Sequence, residues 1–539
     1  MSISKTPIQT AAPHKDDYDF VKQKLAPYPL RWQRGFASKY SRIRAEKGRQ
    51  AANLYLIDIS ERVKLHFVGL GADDEQVCSL AKVKAKRYAE RLVNTVCFMG
   101  EFWRIANELI AQGINPPIVR KHADYEALCK RFKCEKWWRK ALRTAISRHV
   151  EHEAIKLGMV GNKSKYVSNE TLKRRQQQDR RNNELLEWIV AENEDGQEYT
   201  LAELSALGVS NPEIRKNELM TRIRGMEEEA KRHGLVGEFM TMTCPSKYHA
   251  TKSVNNGFRI ENKKYKNYTP KEAQTYLVET YARIRAQLGR EGIKPIGFRV
   301  AEPHADACPH WHLLLFVERK HVSRMIAVFK EHCYREDADE LKHWKAQRAR
   351  FYSKSIDPTK GSAAAYMAKY IAKNVQMSGI EDFESHEGGS VNDNLERSVA
   401  WARTWGIRQF QQQGGERIGV WRELRKMREE TDLPELMRPL WKAADSGEYG
   451  FFLREALNRK IEFLREQVKK TPVYEKNHLA PDDKGRFVVP VWRVSKQRET
   501  GFFNRYGEEV QGAISGLVID GVELITRVHV WEIKQRKRD

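Results

Sequence analysis

"PHWHLLLF", residues 309–316, decides how the middle of this chain folds. Side chains alternate along a strand, so His310 and His312 leave one face while Trp311, Leu313, Leu315 and Val317 leave the other. The second face is apolar and suits a core. The first offers two imidazoles close together, a platform for a divalent cation. The preceding "IGFRVAEPHADAC" (296–308) reads as another strand followed by a turn-rich loop. Pairing 297–302 with 310–315 in a symmetric hairpin sets Glu302 opposite His310, with Cβ atoms roughly 5 Å apart. Glu302 is therefore the expected third ligand. His304 and Asp306, in the loop, are its rivals, and water or a substrate phosphate would fill the remaining positions.

The neighbouring segments extend the pattern. "GEFMTMTCPSKYHA" alternates until Pro245 and reads as a strand. "TPKEAQTYLVETYARIRAQLGREG" reads as a helix with Pro270 in its first turn and glycines near its end. "HVSRMIAVFKEHCYRE" and "GSAAAYMAKYIAKNVQ" also read as helices, the latter on propensity. The order implies helices packed on an antiparallel sheet. A further helical stretch is expected over "ARTWGIRQFQQ" and "VWRELRKMREE".

Outside this centre the texture changes twice. Residues 1–74 form a basic N-terminal segment that starts loosely. Residues 75–230 carry a helical pattern that includes Trp137 and Trp138, read as core. Ser168 or Asn169 is placed to cap a helix bearing Lys173, Arg174, Arg175, Arg180 and Arg181, a candidate DNA-contacting face. Residues 231–430 hold the central domain, and 431–539 a helical linker and a small β-rich region. The expected fold class is thus α+β: helical at the N-terminal side, a central antiparallel sheet flanked by helices, and strands near the end.

Composition narrows the function. With 96 Lys and Arg against 72 Asp and Glu in 539 residues, the net charge is +24, which suits a nucleic-acid partner. Seven scattered cysteines without a CxxC pair read as a reduced, intracellular set rather than a disulfide framework or zinc ribbon. The first twenty residues have no apolar signal-peptide core, and no run approaches the ~18 apolar residues of a membrane helix. A soluble protein of the cytoplasm is expected, with no membrane partner. No G-x-x-x-x-G-K-[ST] occurs, so no intrinsic ATPase or helicase activity is expected.

"YMAKYIAKN" (366–374) repeats a Tyr-x-x-Lys unit one helical turn apart. Tyr366 and Tyr370 share a face, and Lys369 and Lys373 follow each at i+3. A free phenol, with a pKa of about 10, is a weak nucleophile until a cation favours the phenolate. Beside a metal, such a pair can attack DNA phosphodiesters.

"PHWHLLLF" followed by "YMAKYIAKN" resembles the HUH endonuclease superfamily. With "FMTMTCPS" before and "WGIRQFQ…VWRELRK" after, the chain is similar to the bacteriophage replication gene A protein family, over roughly 100–430 and into the tail. The resemblance implies a rolling-circle initiator of the bacterial host's cytoplasm. It implies a Mg²⁺- or Mn²⁺-dependent nick in single-stranded or supercoiled origin DNA that leaves a 5′-phosphotyrosine and a 3′-hydroxyl primer. The second tyrosine then cuts the regenerated origin and the circle closes. The carry-over falls on His310, His312, Tyr366 and Tyr370, and less directly on Glu302. A monomer working with a host helicase is expected. Alternatives are a conjugative relaxase or single-strand transposase, a metal-dependent phosphohydrolase without a covalent intermediate, and a DNA-binding protein without nuclease activity.

Overall fold

Five segments pair into one antiparallel sheet in a computed structural model of the chain, and two of them, Ile296–Pro303 and Pro309–Glu318, are buried along almost their whole length. The five are β1 (Leu235–Thr243), β2 (Ile296–Pro303), β3 (Pro309–Glu318), β4 (Phe351–Ser355) and β5 (Phe410–Gln413), in the order β4-β1-β3-β2-β5. The structure describes residues 15–62, 70, 72–120, 123–162, 164–254, 258–357, 359, 361–372, 391–427, 433–465, 467–473, 491–497, 502–527 and 529–536.

These residues fall into two compact units. The first comprises Met1–Met159, Ser168–Lys173 and Arg505–Glu508, and the second the remainder. The first unit is helical, with helices Lys15–Leu25, Leu30–Arg62, Asp74–Arg91, Phe98–Ala111, Tyr125–Phe132 and Glu135–Lys156. Its core is aromatic: Trp138 is fully buried, stacks on Tyr88 at 5.2 Å and donates its indole N–H to the Phe132 carbonyl. Within the N-terminal basic segment the described residues 15–62 are mostly helical, while its first fourteen residues lie outside the described ones. The helical stretch over Leu30–Arg62 breaks at Gly48, where φ is +85°, and its first part buries Trp32, Phe36 and Tyr40 along one face, so tertiary packing supplies what propensity does not.

In the second unit the sheet is covered on both faces. One face carries Trp311, Leu313 and Leu315, all buried, beneath α3 (Pro270–Arg290) and α4 (Val322–Tyr334). Thr269 and Glu272 close a capping box at the start of α3, and Pro270 needs no hydrogen-bond partner there. Trp311 donates to Gln274 of α3, so its indole N–H is satisfied inside the core. The opposite face carries Phe239, Phe298, Val300 and Leu314. They join one apolar cluster with Ile223, Met226 and Ala230 of α2 (Pro212–Arg232) and Met367 and Ile371 of α5 (Ala363–Ala372). Gly297 lets β2 approach β3 closely, since a Cβ there would lie 1.9 Å from the Leu314 carbonyl oxygen.

Two local readings are corrected by tertiary pairing. "ARTWGIRQFQQ" is not one helix: α6 (Val391–Trp405) stops at Gly406, whose φ is +62°, and Phe410–Gln413 becomes an edge strand on β2. Within the helical stretch 75–230, Ile189–Asn193 and Glu198–Thr200 form a hairpin joined by Trp531–Gln535. The Ile-Val start favours a strand, and its second partner, Trp531–Gln535, lies more than 300 residues away, where no local pattern announces it. The β-rich C-terminal region is present as Ile461–Leu464, Gln467–Val473, Val491–Gln497, Gly516–Ile519 and Val522–Ile525, among shorter strands.

The helix bearing the tyrosines is anchored by a carboxylate from another element. Glu227 of α2 is buried, accepts the Ala364 backbone N–H at 2.9 Å and pairs with Lys231 at 2.8 Å. Burial opposes its ionisation, but Lys231 and the amides of Ala364 and Ala363 outweigh burial and hold its pKa below the ordinary carboxylate value. A depressed carboxylate stabilises at neutral pH and loses that contribution as pH falls through its folded pKa. Glu227→Gln is thus expected to reduce amide-exchange protection across Ala363–Ala372 at pH 7, by a factor corresponding to about 1 kcal/mol. The difference from the parent should shrink as pH falls below the ordinary carboxylate range. Equal protection in the two proteins at pH 7 would show that the cap does not hold this helix.

Candidate cation site and tyrosine pair

The register of the β2–β3 hairpin builds the candidate site. Glu302 pairs with His310 and Val300 with His312, so Glu302, His310 and His312 project from one face of the sheet. The loop His304–Cys308 is closed by His304 N–H donating to the Cys308 carbonyl and Ala307 N–H donating to that of His304. Glu302 Oε2 lies 4.0 Å from His310 Nε2 and 3.7 Å from His312 Nε2. One donor atom from each of the three residues falls within 4.8 Å of the others. All three side chains are at most 13% exposed. Two imidazole nitrogens and a carboxylate fit a divalent cation that keeps open positions for water or phosphate oxygens.

Thr241 of β1 supplies the next layer. It is the register partner of His312 on β3, and its hydroxyl oxygen lies 3.0 Å from His312 Nδ1. With Nδ1–H donating to that oxygen, Nε2 keeps its lone pair and points toward Glu302.

The loop residues sit differently from Glu302. Asp306 is buried against His249, which lies 3.2 Å away, and Arg259 at 3.5 Å, and it accepts the Thr251 backbone N–H. Burial opposes its ionisation, but its hydrogen bond and proximity to His249, with Arg259 nearby, keep its carboxyl well below the usual carboxylate range. Asp306 therefore organises the loop. The His304 ring lies 4.0 Å from that of His310, and burial, then the neighbouring His310, keep it neutral.

Tyr370 lies against the site and Tyr366 one helical turn away, in unequal surroundings. The buried stripe of α5 is Ala363, Met367 and Ile371, and Tyr366 and Tyr370 flank it half-buried. The Tyr370 ring is 4.1 Å from that of His312 and stacks on Phe239 at 5.3 Å. Burial, with the Glu302 charge second, pushes its phenol up to about 12. The Tyr366 ring is farther from Phe239, at 6.5 Å, and Lys354 Nζ of β4 lies 5.7 Å from its centroid. Lys369 belongs to α5, and its side chain lies outside the described residues, as does all of Lys373.

The predicted DNA-contacting residues belong to α1 (Asn169–Trp188), where the Ser168 hydroxyl accepts the Thr171 N–H as a cap. Lys173, Arg180 and Arg181 are exposed, Arg174 and Arg175 half-buried. Arg175 faces Asp179 at 3.5 Å. Sequence reasoning missed Thr241, Phe239 and Lys354. The alternation of "FMTMT" marks Phe239 and Thr241 as sharing a face, but only the β1–β3 register joins that face to His312.

Fold and site define a structural class: a helix-flanked antiparallel sheet that carries a two-histidine, one-carboxylate cluster on adjacent strands, with two tyrosines of one helix beside it. The chain belongs to the bacteriophage replication gene A protein (GPA) family, whose family model matches residues 75–378. It is 37% identical over 387 residues to the "Probable replication protein P12" of Pseudoalteromonas phage PM2, covering 70% of this chain and 58% of that protein. It is 36% identical over 408 residues to the "Replication gene A protein" of Escherichia phage 186, covering 75% and 55%. A "Probable replication endonuclease from prophage-like region" of Salmonella typhimurium is 33% identical over 336 residues, 60% of this chain and 41% of that protein. The chain thus spans little more than half the length of the first two relatives. No solved structure matches it.

The hydroxyl on His312 generates a prediction. Thr241→Val keeps the β-branched shape and removes the acceptor, and is expected to weaken Mn²⁺ binding by about 10–100-fold. Thr241→Ser should restore most of it. Titration calorimetry on both variants checks this; unchanged affinity in Thr241→Val would detach Thr241 from the site.

Proposed function

We propose that the chain initiates phage DNA replication by nicking one strand through a tyrosine ester, with Glu302, His310 and His312 holding Mg²⁺ or Mn²⁺. The single observation that carries the reading is the contact of Tyr370 with His312, with a second tyrosine one helical turn away on the same helix. A hydrolase that activates water needs no such pair. The names of the relatives, replication proteins and a replication endonuclease, agree with the role.

The chain's own residues divide the work. Thr241 fixes the His312 tautomer, and Phe239 gives the phenols an apolar wall. A bound cation supplies polarisation of the phosphate's non-bridging oxygens and lowers the cost of the phenolate. Without that help the Tyr370 phenol, raised to about 12, is almost wholly protonated at neutral pH. In the nick, the phenol loses its proton and its oxygen bonds to phosphorus. The bond to the 3′ oxygen breaks, and that oxygen takes up a proton and becomes the primer hydroxyl. The phosphodiester energy stays in the tyrosine ester, so the step needs no nucleotide cofactor. Tyr366, with Lys354 as its nearest described cation, cuts the regenerated origin in the next round. The released 3′ hydroxyl then attacks the first ester and closes a circle. Strand separation falls to a host helicase or to supercoiling.

The tyrosine variants provide the test. On a short single strand of the phage origin with Mn²⁺, Tyr370→Phe and Tyr366→Phe should each retain some denaturant-stable DNA adduct, with the larger loss in Tyr370→Phe. The double variant and His310→Ala should form none. Mass mapping of the adducts, beside a circle-closing assay, checks this. Strand cleavage without any adduct in the parent protein would favour water as nucleophile and contradict the proposal. Normal repeated circle formation by either single variant would reduce its missing tyrosine to a packing residue.

A further inference from the structure

A cleft of about 390 Å³ in the second unit gathers positive charge that is incompletely answered. Helix α2 presents Arg215, Glu218 and Arg222 to it, spaced so that they share a face. Helix α6 contributes Arg403, the segment before β5 contributes Arg408, and α7 (Ile418–Leu424) contributes Arg422. Five arginines and one carboxylate therefore line the cleft.

The carboxylates within reach are already engaged. Glu218 accepts two hydrogen bonds from Arg422, at 2.8 and 2.7 Å, and lies 3.5 Å from Arg222. Asp179 of α1 accepts from Arg403 at 2.8 Å and faces Arg175. Arg215 and Arg408 have no carboxylate partner among the described residues. Arg215 Nε is buried without a hydrogen-bond partner, and burial first, then the charge of Arg403, disfavour its cation. Like charges brought together around a buried donor are costly unless an anion joins them. The backbone is also held in place, since the buried Arg299 donates to the Arg408 carbonyl at 2.7 Å while its guanidinium stacks on Trp311.

The position of the cleft names the anion. Phe410, which lines it, pairs with Val300, and Val300 pairs with His312. The cleft thus adjoins the face of the sheet that carries the cation site, about two strand spacings, or roughly 10 Å, from His312. Stacked DNA advances about 3.4 Å per nucleotide, so a few nucleotides cover that span. We propose that this cleft holds a backbone phosphate of the same DNA strand, a few nucleotides from the bond that is cut, with Arg215 and Arg408 as its main contacts. The choice of strand rests on the proposed nicking function; the need for an anion rests on the charges alone.

The test uses the full chain carrying Tyr366→Phe and Tyr370→Phe, so that no cleavage interferes, and a labelled mixed-sequence single strand read by fluorescence anisotropy. Adding Arg215→Gln and Arg408→Gln should weaken binding about tenfold and lower the slope of log affinity against log salt by about 0.7 for each phosphate no longer neutralised. Lys320→Gln with Lys330→Gln removes equal charge from exposed positions elsewhere in the second unit and should change affinity less than about twofold. Arg215→Lys with Arg408→Lys keeps the charge and should recover most of the binding. Affinity and slope that match the exposed-lysine control would overturn the proposal, including the case in which an acidic protein segment fills the cleft instead. The outcome is independent of nicking. A chain that forms no tyrosine adduct yet binds DNA more weakly in the cleft variant keeps this inference and loses the proposed function.

Discussion

The pairing of Glu302 with His310 across β2 and β3 is the constraint on which the rest depends. The pleat allows only alternate residues on one face. A slip of one residue would turn Glu302 away and bring Ala301 or Pro303 to that place. The hairpin has no freedom to slip. Its other face is the buried row Trp311, Leu313 and Leu315, Gly297 sets the approach of the two strands, and Asp306 locks the loop through His249 and Arg259. The donor cluster is therefore held by the hydrophobic core, with little left to side-chain freedom.

The tyrosine helix is tied to the same core by different means. Its Ala-Met-Ile stripe joins the cluster around Phe239 and Leu314, and Glu227 fixes its first turn. That leaves Tyr370 against His312 and Tyr366 nearer Lys354. The two phenols are equivalent in sequence spacing and unequal in surroundings. In the proposed reaction such a difference assigns them different tasks at any one moment, and exchanging those tasks requires that DNA or the helix move.

Local, periodic features were legible in the sequence, and long-range pairings were not. The His-x-His strand, the hairpin that opposes Glu302 to His310 and the helix with Tyr366 and Tyr370 each follow from spacings inside one strand, one hairpin or one helix. Thr241 is 71 residues from His312, and only sheet order makes them neighbours. Glu227 caps a helix 137 residues away. The arginine cleft gathers α2, α6 and α7, and no single segment is unusually basic for this chain. Phe410–Gln413 reads as helix because its strand character comes from lying along β2, not from its own composition. The lysines of the repeated Tyr-x-x-Lys unit were the sequence's choice of cation. Among described side chains, Lys354 lies beside Tyr366, on a strand that the sequence did not single out.

The central claim is that the sheet holds its cation next to Tyr370. It is tested most directly by incorporating 3-fluorotyrosine at position 370 or at 366 and following the fluorine resonance while Mn²⁺ is added. The account predicts strong paramagnetic broadening at 370, weaker broadening at 366, and neither in His310→Ala with His312→Ala. Equal sharp lines at both positions with Mn²⁺ bound, or broadening that survives loss of both histidines, would contradict it.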